Sequence, residues 1–367
     1  MKTNQSNHKP LGLGVLGLGE GRSIISAGLQ SELWKVVKLC DLDENLGRER
    51  CAEFGLPEAV LTTALDDLLA DPAVDVIGIY TPDHLHAEHV IRGLRAGKHV
   101  ICTKPFLDNL SRAAEVLEAA EASDKRLLVG QSTRFFLPFT RQRAHFESGV
   151  LGELNTVEAY YNADHRWFLS KPWPRTGAFK WLYGGLSHPV DLVRWYLPGI
   201  EEVMGYSRLS ENGAKLGLVH PDTFHFIFRT TGGRIARVSG TFMSPVTPTS
   251  RDSNSSCILR GSLGASQADY YDLRYAWKTD TQSVVETFED RDDYYFRFGG
   301  HTHHAGEYQD YIEYFARCIR SGELPRPDVR EGIVTVGLMQ AMEEAAAGGA
   351  PVRLRDLLAR HELDLPL

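Results

Sequence analysis

The chain has 367 residues, 43% hydrophobic and 24% charged, which is enough apolar material for two domains with their own cores. A net charge of -8 with no Lys/Arg block excludes nucleic acid as the main partner, because phosphate binding needs a concentrated basic face. Residues 1–10 do not read as a secretory signal, no apolar run is long enough to span a membrane, and five cysteines without close spacing fit reduced thiols, so a cytoplasmic protein with no membrane partner is expected.

In chain order, residues 13–16 form a short apolar run that enters Gly17-Leu18-Gly19-Glu20-Gly21-Arg22-Ser23, after which 24–31 reads as a helix. A second strand at 36–39 closes on Asp41 and is followed by a helix at 45–54. Short elements follow: a strand at 60–61, a helix at 65–70, and a buried strand at 74–80 ending in Thr81-Pro82. The helix 86–96 is terminated by Gly97, the strand 98–102 runs into Thr103-Lys104-Pro105, and a helix at 110–122 leads to a strand at 126–130. Strands alternating with helices of these lengths predict a Rossmann doubly wound parallel sheet over residues 1–132.

The pattern then changes. Longer strands are expected at 155–161, 202–208, 223–229, 234–242, 256–260 and 270–277, with Thr231-Gly232-Gly233 joining two of them as a hairpin. A helix near 188–196 and two late helices, 307–320 and 330–347, complete the reading. Residues 133–367 are therefore expected to be an α+β domain with one large mixed or antiparallel sheet, its last helices packing back on the first domain.

Three groups of residues carry chemistry. In the glycine turn, Gly17 permits a tight bend, Gly19 permits close approach of a pyrophosphate, and the amides around Gly21, Arg22 and Ser23 open a helix that can receive phosphates. Asp41 is placed to accept hydrogen bonds from a ribose diol and to repel a 2'-phosphate, which favours NAD over NADP, while Arg22 works in the other direction. Lys104 offers a cation at a strand end, and Pro105 restricts the backbone that holds it. In Gly184-Gly185-Leu186-Ser187-His188-Pro189-Val190-Asp191, His188 near a helix start would titrate around neutral pH. Asp191 either shares the helical face of His188 or stabilises the first turn. The spacing of His301, His303, His304 and Glu307 is a weak metal signal, and no metal is expected.

Together, Gly14-Val15-Leu16-Gly17-Leu18-Gly19, Tyr80-Thr81-Pro82-Asp83-His84-Leu85-His86, the Ala96 to Pro105 segment and Gly184 to Asp191 resemble the glucose-fructose oxidoreductase, inositol dehydrogenase and rhizopine-catabolism family, Gfo/Idh/MocA. The resemblance covers nearly the whole chain. It implies an N-terminal Rossmann domain, a C-terminal substrate-binding and oligomerisation α+β domain with a large open, mostly antiparallel sheet, tightly held NAD or NADP, sugar or cyclitol substrates, and homodimers or homotetramers built on the open sheet. The family's E-K-P falls on Thr103-Lys104-Pro105, its T-P-N-x-x-H on Thr81 to His86 with Asp83 for asparagine, and its catalytic histidine on His188. Gly184 stands where relatives often carry an aspartate.

On this reading Lys104 and His188 are catalytic, and NAD is held by Gly17, Gly19, Glu20, Gly21, Arg22, Ser23, Asp41, Thr81, Pro82, His84, His86, Thr103, Lys104, Pro105 and Gln131. The substrate meets Lys104, His188, Arg134, Asp164, His165, Arg166, Trp167, Trp173, Lys180, His303 and His304. The expected activity is NAD-dependent hydride transfer at a secondary hydroxyl of a sugar, glycoside or cyclitol. Two alternatives stay open: a redox-neutral epimerase, lyase or hydrolase that uses tightly bound NAD for transient oxidation, and a non-enzymatic NAD-binding sensor.

Overall fold

The computed structural model describes residues 9–170, 177, 179–245, 253–270, 272–288 and 306–367. Its strands are β1 (Leu11–Leu16), β2 (Trp34–Cys40), β3 (Leu61–Thr62), β4 (Val76–Ile79), β5 (His99–Thr103), β6 (Leu127–Gly130), β7 (Leu154–Ala163), β8 (Ile200–Arg208), β9 (Thr223–Thr230), β10 (Ile235–Thr241), β11 (Ser253–Gly261), β12 (Gly264–Asp269), β13 (Arg274–Thr279), β14 (Ser283–Thr287) and β15 (Val352–Arg353). The helices are α1 (Arg22–Gln30), α2 (Glu44–Phe54), α3 (Leu65–Ala70), α4 (His86–Arg95), α5 (Ala113–Glu121), α6 (Leu137–Glu147), α7 (Trp181–Gly184), α8 (Ser187–Tyr196), α9 (Glu211–Lys215), α10 (Glu307–Ser321), α11 (Val329–Gly348) and α12 (Leu354–Arg360).

The chain divides into two compact units whose segments interleave. Among the described residues, one takes 9–106, 115–130 and 306–329, and the other takes 107–114, 131–288 and 330–367. The first unit thus gains α10 from late in the chain, whereas α11 from its second residue onward belongs to the second.

In the first unit six strands lie in the order β3-β2-β1-β4-β5-β6, and every pairing is parallel. The runs that form it, such as Val76-Ile77-Gly78-Ile79, are buried at every position, as expected for strands covered on both faces. Strand order reverses between β1 and β4, which makes their carboxyl ends the crevice where such sheets bind ligands. Gly17 leaves β1 with φ +86°, and a Cβ there would lie 2.6 Å from the Tyr80 carbonyl oxygen at the end of β4. The Tyr80 hydroxyl in turn meets that of Tyr311 from α10.

The second unit is built on a nine-stranded sheet in the order β14-β13-β12-β11-β7-β10-β9-β8-β15. Only β7 and β10 pair in parallel; the other pairings are antiparallel, including the β9–β10 hairpin at Thr231-Gly232-Gly233. The expected strand at 270–277 is replaced by three strands around two tight connections. Leu273 donates its amide to the Tyr270 carbonyl and adopts φ +42°, so the ladder breaks there and resumes in β13. Along β9 alternate residues are buried and exposed; Phe224, Phe226 and Phe228 face the core, and His225, Ile227 and Arg229 face outward. Helices α6 and α8 pack on strands of this sheet. All five cysteines are buried free thiols, and no helix among the described residues is long and apolar enough to cross a membrane.

One buried side chain sets the geometry between β4 and β5. His86, 0% exposed, lies with Nδ1 2.8 Å from the Pro105 carbonyl oxygen and Nε2 2.8 Å from the Thr81 carbonyl oxygen. Satisfying both acceptors requires a proton on each nitrogen. Burial alone would lower the pKa of this imidazole, but Cys102, Asp83 and the Thr81 carbonyl outweigh it and raise the pKa to about 10. A histidine whose pKa rises on folding contributes stability fully below its unfolded value near 6.5 and loses it as pH climbs through the folded value. The urea midpoint is therefore expected to fall between about pH 6.5 and about pH 10, and His86→Gln should remove this part of the slope. Equal slopes in the two proteins would contradict the clamp.

Candidate active site

The nucleotide end of the first unit is built from strand ends. Beyond Gly17, a Cβ on Gly21 would lie 2.1 Å from the Gly17 carbonyl oxygen, so the turn admits no side chain there, whereas a Cβ on Gly19 would meet nothing within 4 Å. Helix α1 starts at Arg22 with no side chain capping its first turn. A closely folded glycine turn, open above Gly19 and leading into uncapped helix amides, fits the pyrophosphate of a dinucleotide. Asp41, just after β2, braces this turn: Oδ2 accepts from the Leu18 amide at 2.7 Å and Oδ1 from the Asp43 amide at 3.0 Å. A carboxylate has further lone pairs, so the brace leaves Asp41 able to accept from a ribose diol. Arg22 donates Nε to Glu53 Oε1 at 2.6 Å, which offsets the positive charge that would favour a 2'-phosphate.

Thr81, Pro82, Thr103, Lys104 and Pro105 occupy the ends of β4 and β5, with His84 exposed on the turn before α4. Lys104 is partly buried, and its peptide bond to Pro105 is cis. Burial lowers its pKa, and the carboxylates of Asp83 and Glu20 oppose that shift. The result is an ammonium more ready to release a proton than a surface lysine, facing acids that still favour its charge. His86, expected as a cofactor contact, has both ring nitrogens on backbone carbonyls and forms the clamp described above.

The second unit holds the other candidate residues. His188 is the second residue of α8, half-buried, with Nδ1 in hydrogen-bond contact with Thr133 Oγ1 and Tyr161 edge-on to its ring at 6.0 Å. Neither Thr133 nor Tyr161 carries a motif signal. Gly184 cannot be exchanged for an acid without repacking, since a Cβ there would lie 2.6 Å from the Phe179 ring.

Arg134, expected at the substrate, is a buried cation paired with carboxylates. It is 4% exposed, donates Nε and Nη2 to the two carboxylate oxygens of Asp191 at 2.6 and 2.7 Å, and approaches Glu331 at 3.5 Å. Burial opposes its charge, but these carboxylates outweigh that and raise its pKa. His165, also expected at the substrate, is 8% exposed and stacks on Trp181 at 4.9 Å in a cluster with Phe242. Asp164 and Arg166 pair with each other through Arg166 Nε at 2.7 Å, and Lys180 gives its ammonium to Glu343, which also accepts from the Tyr183 hydroxyl at 3.0 Å. Trp167 stays 47% exposed. Gln131, directly after β6, is buried, and its side-chain carbonyl has no protein hydrogen-bond partner. Trp173, His303 and His304 lie outside the described residues, as does His301. Among the described residues no cluster of three or more His, Cys, Asp or Glu side chains is placed to hold a metal ion.

Residues 11–131 match the model of an oxidoreductase family with an NAD-binding Rossmann fold, and 143–354 match that family's C-terminal alpha/beta domain. D-xylose 1-dehydrogenase (NADP(+)) 2 of Haloferax volcanii is 26% identical over 360 residues, covering 93% of this chain and 98% of that protein. Inositol 2-dehydrogenase of Gluconacetobacter diazotrophicus is 29% identical over 194 residues, 52% of this chain and 55% of its own. An uncharacterized oxidoreductase of Schizosaccharomyces pombe, C115.03, is 34% identical over 143 residues, so the chain spans only 39% of that relative. Among solved structures, an oxidoreductase from Agrobacterium radiobacter in complex with NAD+, L-tartaric acid and magnesium superposes with TM-score 0.84 at 18% identity, covering 95% of this chain and 99% of that one. Levoglucosan dehydrogenase in complex with NADH and levoglucosan gives TM-score 0.80 at 19% identity, over 94% of this chain and 99% of that one. At these identities the structures show a shared fold. Since the two matched segments take up nearly all of the sequence, the chain belongs to the Gfo/Idh/MocA family of oxidoreductases.

Proposed function

We propose that this chain catalyses reversible hydride transfer between a secondary hydroxyl of a sugar, glycoside or cyclitol and NAD, with NADP the poorer cofactor. The observation that carries the reading is Lys104, a partly buried ammonium of lowered pKa at the carboxyl end of β5, on the side of the sheet where the glycine turn and Asp41 also lie. Bound nicotinamide supplies the hydride acceptor. His188 takes the hydroxyl proton as the carbinol C–H bond breaks, and Lys104 stabilises the oxygen as it becomes a carbonyl. In the reverse direction His188 returns the proton. Trp167, exposed beside the His165 cluster, offers an apolar face for the C–H surface of a ring. The preference for NAD rests on Asp41 and on the pairing of Arg22 with Glu53. The dehydrogenase names of relatives favour the same class, although the Haloferax enzyme is named for NADP.

Incubation with NAD or NADP and a panel of sugars, glycosides and inositols should raise absorbance at the reduced nicotinamide band with at least one polyol, more strongly for NAD. Lys104→Ala should lose about 100-fold or more in kcat at saturating NAD. Unchanged turnover in that variant would remove Lys104 from the chemistry. Altered products by mass without net reduced cofactor would replace the dehydrogenase reading with transient oxidation.

The oligomer is proposed to form through the open face of the nine-stranded sheet. Met204, Tyr206, Ile227 and Ile235 are all exposed on adjacent strands, with Met204 opposite Ile227 in the ladder. Patches of this kind on a sheet mark association surfaces. Sedimentation should give a dimer or tetramer of the 41.0 kDa chain, and Ile227→Lys should shift it toward monomer. A monomer at micromolar concentration would contradict this.

A further inference from the structure

Residues Ser132–Phe135 form a 3₁₀ turn, and two consecutive side chains of that turn grip α8. Arg134 closes the bidentate pair with Asp191. Thr133, 3% exposed, places Oγ1 in hydrogen-bond contact with His188 Nδ1. Positions 188 and 191 lie three apart on one helical face. The ion pair therefore fixes the rotation and height of α8 at the point where Thr133 needs them. Glu331 extends the lock, accepting from Arg194 of α8 at 2.8 Å while it approaches Arg134.

We propose that Thr133 is the positioning residue for His188, its hydroxyl holding Nδ1 so that Nε2 is the nitrogen that exchanges protons with substrate. This rests on the reading of His188 as the acid–base group. The chemistry of the partner decides what the ring can do. A carboxylate only accepts, whereas a hydroxyl both accepts and donates. When Nδ1 carries a proton it donates to Oγ1 and leaves Nε2 bare as a base. Uptake of the hydroxyl proton by Nε2 then gives an imidazolium whose Nδ1–H is still held by Thr133. In the return direction Nε2 of the imidazolium gives its proton back to the substrate oxygen while Nδ1–H stays on Oγ1; if the imidazolium instead loses its Nδ1 proton to water, the hydroxyl turns and donates to Nδ1, and Nε2 keeps its proton for return to substrate. One ring orientation thus serves both directions of a reversible transfer. No acid is needed at position 184, where the Phe179 ring would have to move to admit one.

The test separates this from a packing role. Thr133→Val keeps the shape and removes the hydrogen bond; Thr133→Ser keeps the hydroxyl. In protein with 15N-labelled histidine, the His188 pair of resonances is assigned among the 14 histidines by its loss in His188→Gln. Long-range 1H–15N correlation should show the wild-type ring in one fixed pattern, the valine variant displaced toward the averaged pattern of free imidazole, and the serine variant restored. With a polyol that the wild type oxidises, the valine variant should lose about 10- to 100-fold in kcat with KM little changed, a part of what acid–base catalysis contributes. An unchanged His188 spectrum in Thr133→Val overturns the proposal. Full turnover in His188→Gln instead overturns the acid–base reading, and the spectrum of the valine variant still reports on Thr133 independently.

Discussion

A single buried imidazole holds together the loops that leave β4 and β5 of the first unit. The carboxyl ends of β4 and β5 emerge as separate loops, and nothing in a parallel ladder constrains what they do beyond their last paired residue. His86 supplies that constraint by carrying a proton to the carbonyl of each loop. Lys104 sits immediately before one of the clamped residues, so the direction of its side chain is inherited from the clamp and from the proline that follows. His86 gains its raised pKa from its setting, which means that the loop geometry and the charge on His86 are mutually dependent.

The second unit solves a similar problem with different chemistry. There the element to be placed is a helix, and the means is a desolvated ion pair. A bidentate guanidinium–carboxylate contact is geometrically specific, and removing one partner from such a buried pair typically costs about 3–5 kcal/mol because the other charge is stranded. Arg134 and Asp191 therefore add specificity of placement to α8 more than net stability. Thr133 uses the placement and His188 benefits from it. In both units a charged, buried side chain does the positioning, while the groups assigned to chemistry, Lys104 and His188, remain only partly buried.

Much of this was legible in the sequence because the first unit obeys simple rules. Continuous apolar runs such as 76–79 can only be doubly covered strands, and a glycine turn followed by a helix has few uses. The second unit was read less completely. Helix α6 escaped because Gln142 faces inward, where it donates to the Cys257 carbonyl and Ser266 and accepts from Tyr196, which breaks the apolar period that would announce a helix. Strand β12, Gly-Ala-Ser-Gln-Ala-Asp, lacks the branched and aromatic residues of a strand and is held by its neighbours on either side. The protein partners of the site residues were not legible. Those of Arg134, 57 residues away, and of His86, on the backbone, leave no trace in local pattern. Thr133 was missed for the mirror-image reason, since a threonine after a strand looks like ordinary turn chemistry until its histidine arrives 55 residues later.

The proposed function makes Lys104 a cation tuned by its position for work on substrate. Competitive amine labelling across a pH series, read at each lysine by peptide mass, measures this without knowledge of the substrate. Lys104 should titrate below the range of the exposed lysines, and bound NAD should alter its labelling, since the residue lies at the cofactor end of the sheet. A Lys104 that labels and titrates with the surface lysines, indifferent to NAD, would contradict the assignment.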